Sequence, residues 1–384
     1  MARLALNPET YDRNERIDWV DYAKGFCIFF VVMMHATLGV EKHAFEKGLV
    51  TEGSTGWMNV IVTFAQPFRM PDFFLISGLF LGLVIAKSWK RYVDRKVLHF
   101  FYFYILWLAI QFAFRSVGWV SEGLGPAEIA GKFGLALIEP YGTLWFIYML
   151  PVMFIITRLL EKIHWGVVLA FAALLEIAPI HTGWMLMDEF ASRYVYFFAG
   201  YALAQPIFRL AAWAKDNVAK AVSYLGFWGV INGLFTLTAF PGAFAGIYSA
   251  FGRETPTNLA QMPIISLSLG AAGAVAVICL CAVLSRFKIA GALRYLGSHS
   301  IVIYLAFFLP MVVTREILMR FFPSLDLGTM SLIVLMVSVI SSAIAWEFTR
   351  ITGWFKFLFI RPQWAWIDRA EEPRPQKASL QPAE

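Results

Sequence analysis

Apolar residues in this chain come in blocks of about 20, divided by short polar stretches. The blocks lie at about 20–40, 58–86, 98–114, 143–160, 165–181, 192–208, 221–240, 263–284, 299–320 and 330–350. A helix of that length spans the ~30 Å hydrocarbon layer of a bilayer. Ten such blocks are too many for one soluble core. The pattern predicts an all-α integral membrane protein with about ten transmembrane helices.

Two blocks carry polar residues that a lipid-facing helix does not need. The first is entered through Arg16-Ile17-Asp18-Trp19-Val20-Asp21-Tyr22-Ala23-Lys24-Gly25 and runs on to His35. Lys24 and His35 are eleven residues apart, within about 20° on one helical face and about 16 Å along the axis. Asp21 falls about 40° from His35 on that face. An ionisable group at this depth is costly unless it faces the bundle interior. Interfacial snorkelling is the competing account of the inner-end charges Asp21 and Lys24.

The second block, 57–86, holds Gln66-Pro67-Phe68-Arg69-Met70-Pro71-Asp72 at its centre. Two prolines four apart predict a break at membrane depth, which is tolerated only inside protein or beside a cavity. Arg69 and Asp72 are spaced to pair across one turn; alternatively, Arg69 faces an anionic or carbonyl group of a ligand. Ser77-Gly78 follow, small enough for close helix packing.

Composition agrees with a membrane chain. It is 59% hydrophobic and 15% charged, with mean hydropathy +0.64. Basic residues sort by side: with the N-terminus inside, 23 of the 32 Lys and Arg fall on inner segments and eight on outer ones, with Arg69 within a block. The positive-inside bias then puts both termini in the cytoplasm. This sorting also makes the net charge of +6 a membrane signal, so no nucleic-acid partner is expected. Cys27, Cys279 and Cys281 all lie in apolar runs, so neither a disulfide frame nor a metal site is expected. No internal repeat of the secondary-transporter kind is evident. The domain reading is a polar segment 1–15 without a cleaved signal peptide, one transmembrane domain 16–360, and a polar, disordered tail 361–384. The longer outer loops 41–57, 115–142 and 241–262 are large enough to shape an outward-facing acceptor surface.

An inner cluster at 87–96, which includes Lys87, Lys90, Arg91, Arg95 and Lys96, reads either as an anchor to anionic membrane lipids or as a dock for phosphates.

With these residues in view, the chain resembles the membrane acyltransferase 3 family of integral-membrane O-acyltransferases. The likeness covers about 16–360 and rests on four ordered segments: Asp21–Gly25 through Val31–His35, Phe68–Gly78, Leu144–Tyr148 and Leu296–Leu305. Lys24 stands where many members have Arg. Arg69 is similar to the glucan succinyltransferase branch, where other members often have His. Phe307 stands where a second histidine often follows. The basic loop lacks a clean RxxR, and Arg91 and Arg95 are its nearest counterparts.

The resemblance implies acyl transfer (acetyl or succinyl) from cytosolic acyl-CoA to a hydroxyl of an extracytoplasmic carbohydrate or glycan, in the bacterial inner membrane and without a metal. It implies His35 and Arg69 as catalytic residues, with Lys24, Arg91 and Arg95 binding the coenzyme. Asp21, Asp72 and Ser77 have supporting roles, and either carboxylate is a candidate to orient a basic partner. The leading alternative is a transporter or flippase for a glycan or small anion. A non-catalytic scaffold is the third.

Overall fold

The computed structural model describes residues 17–178, 180–244, 246 and 255–368. The expectations for segment 1–15, for Arg16 and for the tail beyond 368 lie outside the described residues. Among the described residues the fold is all-helical, with one isolated bridge between Ala239 and Asn258.

Helix α1 (Asp18–Glu46) is unbroken over the whole Lys24–His35 stretch, with Asp18 and Asp21 in its first turn, where a helix dipole favours acids. The second block divides into α2 (Met58–Ala65) and α3 (Arg69–Gly78). Next come α4 (Trp89–Val93), a π-helical stretch Asp94–Leu98 and α5 (His99–Ser121), then α6 (Pro126–Ala136), α7 (Trp145–Leu159) and α8 (Trp165–Ile177). They are followed by α9 (Met185–Ala202), α10 (Ala204–Asp216), α11 (Val218–Leu237) and α12 (Pro263–Phe287). The chain closes with α13 (Gly291–Ser298), α14 (Ser300–Ala306), α15 (Phe308–Phe321) and α16 (Leu327–Thr352).

Six of these stretches are long and apolar enough to cross a membrane: α1, Trp89–Ser121, Gly142–Leu159, α11, α12 and α16. The pair α14–α15, bent by 46°, makes a seventh. The protein is therefore a multi-pass membrane protein. Other expected crossings fall on shorter pieces: 58–86 on α2 and α3, 165–181 on α8, and 192–208 largely on α9. The count of ten and the side of the termini rest on the sequence.

Helix α1 is the hub, touching α2, α3, α12, α13, α14, α15 and α16. Ala23, Cys27, Ile28, Val32, Ala36 and Val40 are wholly enclosed along it. Two crossings bring backbones together. At α1–α13, a Cβ on Gly25 would overlap the Leu293 carbonyl, and one on Gly297 would overlap that of Asp21. At α3–α9, Gly78 meets the Phe197 carbonyl and Gly200 that of Leu75 in the same reciprocal way. With little hydrophobic gain from associating helices in lipid, such close approach supplies the packing energy.

The segment assigned from 361 to the tail begins inside the folded body. Arg361 is 4% exposed and donates to Asp94 through Nη1 (backbone O, 2.7 Å) and Nη2 (Oδ1, 2.7 Å). Asp94 also accepts from the Ile367 and Asp368 amides. Upstream, Tyr102 Oη and Trp107 Nε1 donate to the Phe357 and Leu358 carbonyls. The polar composition after Trp366 hid this because the partner carboxylate is 267 residues away.

Candidate functional site

The site begins with the backbone of the broken block. Pro67 has no N–H, and the Gln66 amide turns to Thr63 O (3.1 Å) in a tightened turn. The Phe68 amide likewise turns to Ala65 O (3.3 Å), so the carbonyls of Val62 and Phe64 lose their helical donors. An orphaned carbonyl in a membrane needs another partner. Arg69 Nη1 donates to Val62 O (3.1 Å), and Asn232 Nδ2 on α11 donates to Phe64 O (2.7 Å). Beside them, Phe68 is 1% exposed, packed between Phe26 and Phe30 of α1, Trp228 of α11 and Gly273 of α12. The break is therefore a built feature that holds the guanidinium at a fixed depth. Among the described residues Arg69 makes no ion pair, and its Nε is buried without an acceptor.

His35 projects from α1 close enough to Arg69 for that charge to act on it. Its ring faces Phe307, with centroids 5.6 Å apart and planes 30° from parallel. Phe307 sits at the bend between α14 and α15 and is fully buried. The residue standing in place of a second histidine thus forms a flat apolar wall for the first. The structure places the Arg69 charge within electrostatic reach of His35.

Toward the N-terminal end of α1, Lys24 is half-buried, and its charge and that of Arg95 both act on Lys96. Lys96 Nζ lies 4.8 Å from the centre of the Phe154 ring. Arg158 pins the loop below: it donates to Lys87 O (2.6 Å) and lies over the rings of Trp89 and Tyr92 at 4.4 and 4.6 Å. Arg91 lies half-buried on α4, one turn before Arg95.

The supporting residues divide. Asp72 is 1% exposed, and neither carboxylate oxygen has a hydrogen-bond partner. The Arg69–Asp72 pair allowed by their spacing is not made. Asp72 instead lies near Cys27 of α1 and Cys281 of α12. Asp21 is buried, its backbone carbonyl in the α1–α13 crossing. Ser77 donates to Phe73 O (2.7 Å) within its own helix, which leaves the close packing to Gly78. The three cysteines are free and buried. Among the described residues no group of His, Cys, Asp and Glu could hold a metal ion.

Sequence reasoning passed over Arg193, counted only as an outer-side cation. It lies on α9, and its charge acts on Arg69. Its Nε bonds Glu189 at 3.2 Å, and Glu176 and Tyr196 lie nearby. A signal was present: Arg193 opens a predicted apolar block, where a cation needs a reason.

Comparison with known proteins gives the same assignment by an independent route. The profile of the Acyl_transf_3 family, described as an acyltransferase domain, matches residues 17–347. "Inner membrane protein YcfT" of Escherichia coli (strain K12) is 27% identical over 199 residues, covering 47% of this chain and 55% of that protein. "Nodulation protein NolL" of Mesorhizobium japonicum is 25% identical over 193 residues, covering 49% of this chain and 48% of that one. The alignments thus span about half the length of each relative. No solved structure matches the chain. With a match over residues 17–347 that takes in His35, Arg69 and the hub helix, this multi-pass membrane protein belongs to the acyltransferase 3 family.

Proposed function

We propose that the protein transfers an acyl group from cytosolic acyl-CoA to a hydroxyl of an extracytoplasmic carbohydrate or glycan, working in a bacterial inner membrane. The observation that carries this reading is the convergence of His35 and Arg69 on one helix-lined site, with Lys24 and its basic neighbours at the other end of α1. Bound acyl-CoA supplies an activated thioester carbonyl. Lys24, Lys96, Arg95 and Arg91 hold its phosphates, and the ~16 Å along α1 from Lys24 to His35 suits the length of a pantetheine arm.

His35 takes the proton of the acceptor hydroxyl as the oxygen attacks the carbonyl carbon. Arg69 faces the negative charge that develops on the carbonyl oxygen, and its unpaired Nε is a donor free for that purpose. The C–S bond then breaks, and the imidazolium returns its proton to the departing sulfur, leaving an ester and a free thiol. Phe307 keeps the imidazole in plane and shields it from water.

Membrane vesicles carrying the protein should release CoA thiol only when glycan acceptor is supplied. His35→Gln should lower that rate by about 10²–10⁴-fold, the usual worth of a positioned general base. Lys24→Ala should instead raise the acyl-CoA concentration needed for half-saturation. Mass spectra showing the same ester load on surface glycans from His35→Gln and wild-type cells would sink the proposal. Glycan crossing the membrane without thiol release would support a transporter instead.

A further inference from the structure

Helix α16 ends at Thr352, and the chain there reverses. Gly353 and Phe355 take left-handed backbone, with φ +78° and +58°. Phe359 then packs between Trp346 of α16 and Trp107 of α5, with ring centroids 6.0 and 5.8 Å away. Trp346 lies about 9 Å back from the end of α16, and Trp107 about 12 Å from the start of α5, at 1.5 Å per residue. The segment after α16 therefore climbs back between two stretches long and apolar enough to cross a membrane. It locks where Arg361 meets Asp94, next in sequence to Arg95 and Lys96. This end of α16 lies at the N-terminal end of α1, since Tyr295 donates to Glu347 (2.7 Å) and Arg294 to Asp18 (3.4 Å).

Two features of the segment say what surrounds it. Its outward surface is apolar: Trp354, Phe355, Phe357, Ile360 and Trp364 are 45–75% exposed. That surface continues a stripe on α16 made of Met336, Ile340, Ile344, Phe348 and Ile351, which are 43–76% exposed and share one helical face. On a membrane-crossing helix such a stripe faces acyl chains. The backbone agrees. The Phe357 and Leu358 carbonyls accept from Tyr102 Oη and Trp107 Nε1, each at 2.9 Å. The amides of Leu358, Phe359 and Ile360 turn to the carbonyls of Phe355 and Lys356. In water these groups need no protein partner; in lipid they do. We propose that residues 353–367 form a re-entrant hook embedded in the bilayer leaflet at the N-terminal end of α1, with its aromatic edge against lipid. Tryptophan at both ends of that edge suits the boundary between acyl chains and headgroups. Lys356 is exposed on the turn, where its long stem lets the ammonium reach headgroup phosphates. Continuity with the lipid-facing stripe and a cation among the aromatics both favour lipid over a second copy of the chain.

The test uses the full-length protein in phospholipid nanodiscs. The three native cysteines are buried, so a thiol-reactive fluorophore should attach only to an added one. Phe357→Cys and Trp364→Cys each replace an exposed side chain, and Lys162→Cys marks an exposed loop as the water reference. Labels at 357 and 364 should lose most of their emission to lipids spin-labelled on the acyl chain, and little to iodide in the buffer. The label at 162 should do the reverse. Elution of each variant at the volume of the parent reports that it is folded. Strong iodide quenching at 357 and 364 with little quenching from lipid places the hook in water and overturns the proposal. Labels shielded from both quenchers show protein over the aromatic edge, and overturn lipid as its occupant.

Discussion

Asp72 shows how far a single residue departs from its spacing. Three positions from Arg69 on one helix, it was placed for an ion pair, and that pair is not made. Its two oxygens sit in the core, near Cys27 and Cys281, without a donor. An unsatisfied buried polar group costs about 1–3 kcal/mol, and an apolar replacement of similar shape removes that cost. Asp72→Leu should therefore hold or raise the unfolding temperature and leave thiol release intact. A fall in unfolding temperature of more than a few degrees would show that the carboxylate has a partner after all. Arg69, His35 and Lys24 were legible because each is an ionisable group in an apolar block, a signal that needs no knowledge of the fold. Arg193 carries the same signal at the edge of block 192–208, but its link to Arg69 depends on which helix stands next to α3.

At the scale of elements, the break in the second block could be read from Pro67 and Pro71. Which groups repair it could not: Arg69 serves Val62 and Asn232 serves Phe64, the second across 168 residues of sequence. The tight crossings follow the same division. Gly25 and Gly297 both lie in stretches that the sequence singles out, but only packing shows that they face each other. Both sites are filled by backbone, so no rotamer change makes room for a side chain. Gly297→Val should separate α1 from α13 and cost about 1–3 kcal/mol or more, the usual range for overpacking. A cross-link between cysteines placed along the two helices should form more slowly in that variant than in the parent. Unaltered cross-linking and stability would mean that the helices do not meet there.

Over the whole molecule, one edge is closed by a contact between the stretch Asp94–Leu98 and the last part of the described chain. The side chains of Asp94 and Arg361 are 0% and 1% exposed and joined at 2.7 Å. Removing one partner of such a pair strands a buried charge, at a cost of about 3–5 kcal/mol, whereas replacing both is far milder. Asp94→Asn leaves the Arg361 cation without its counter-charge and should free segment 354–368 to proteolysis. A double replacement, Asp94→Leu with Arg361→Met, should restore much of the resistance. Equal protection of Asp94→Asn and wild type would remove this closure from the account. Composition placed 361 onward outside the fold because its residues are polar and proline-bearing. The carboxylate that gathers them lies in the stretch Asp94–Leu98, whose basic neighbours draw attention away from it.

The repair of the broken block also has a consequence for signalling within the protein. One guanidinium carries both a main-chain bond, Nη1 to Val62 O, and a buried donor without an acceptor, Nε. If an anion draws Arg69 toward itself, the Val62 carbonyl gives up its donor, and the last turn of α2 must find another or unwind. Occupancy of the site would thereby be written into the backbone of α2, and the proline break would couple a ligand to the main chain.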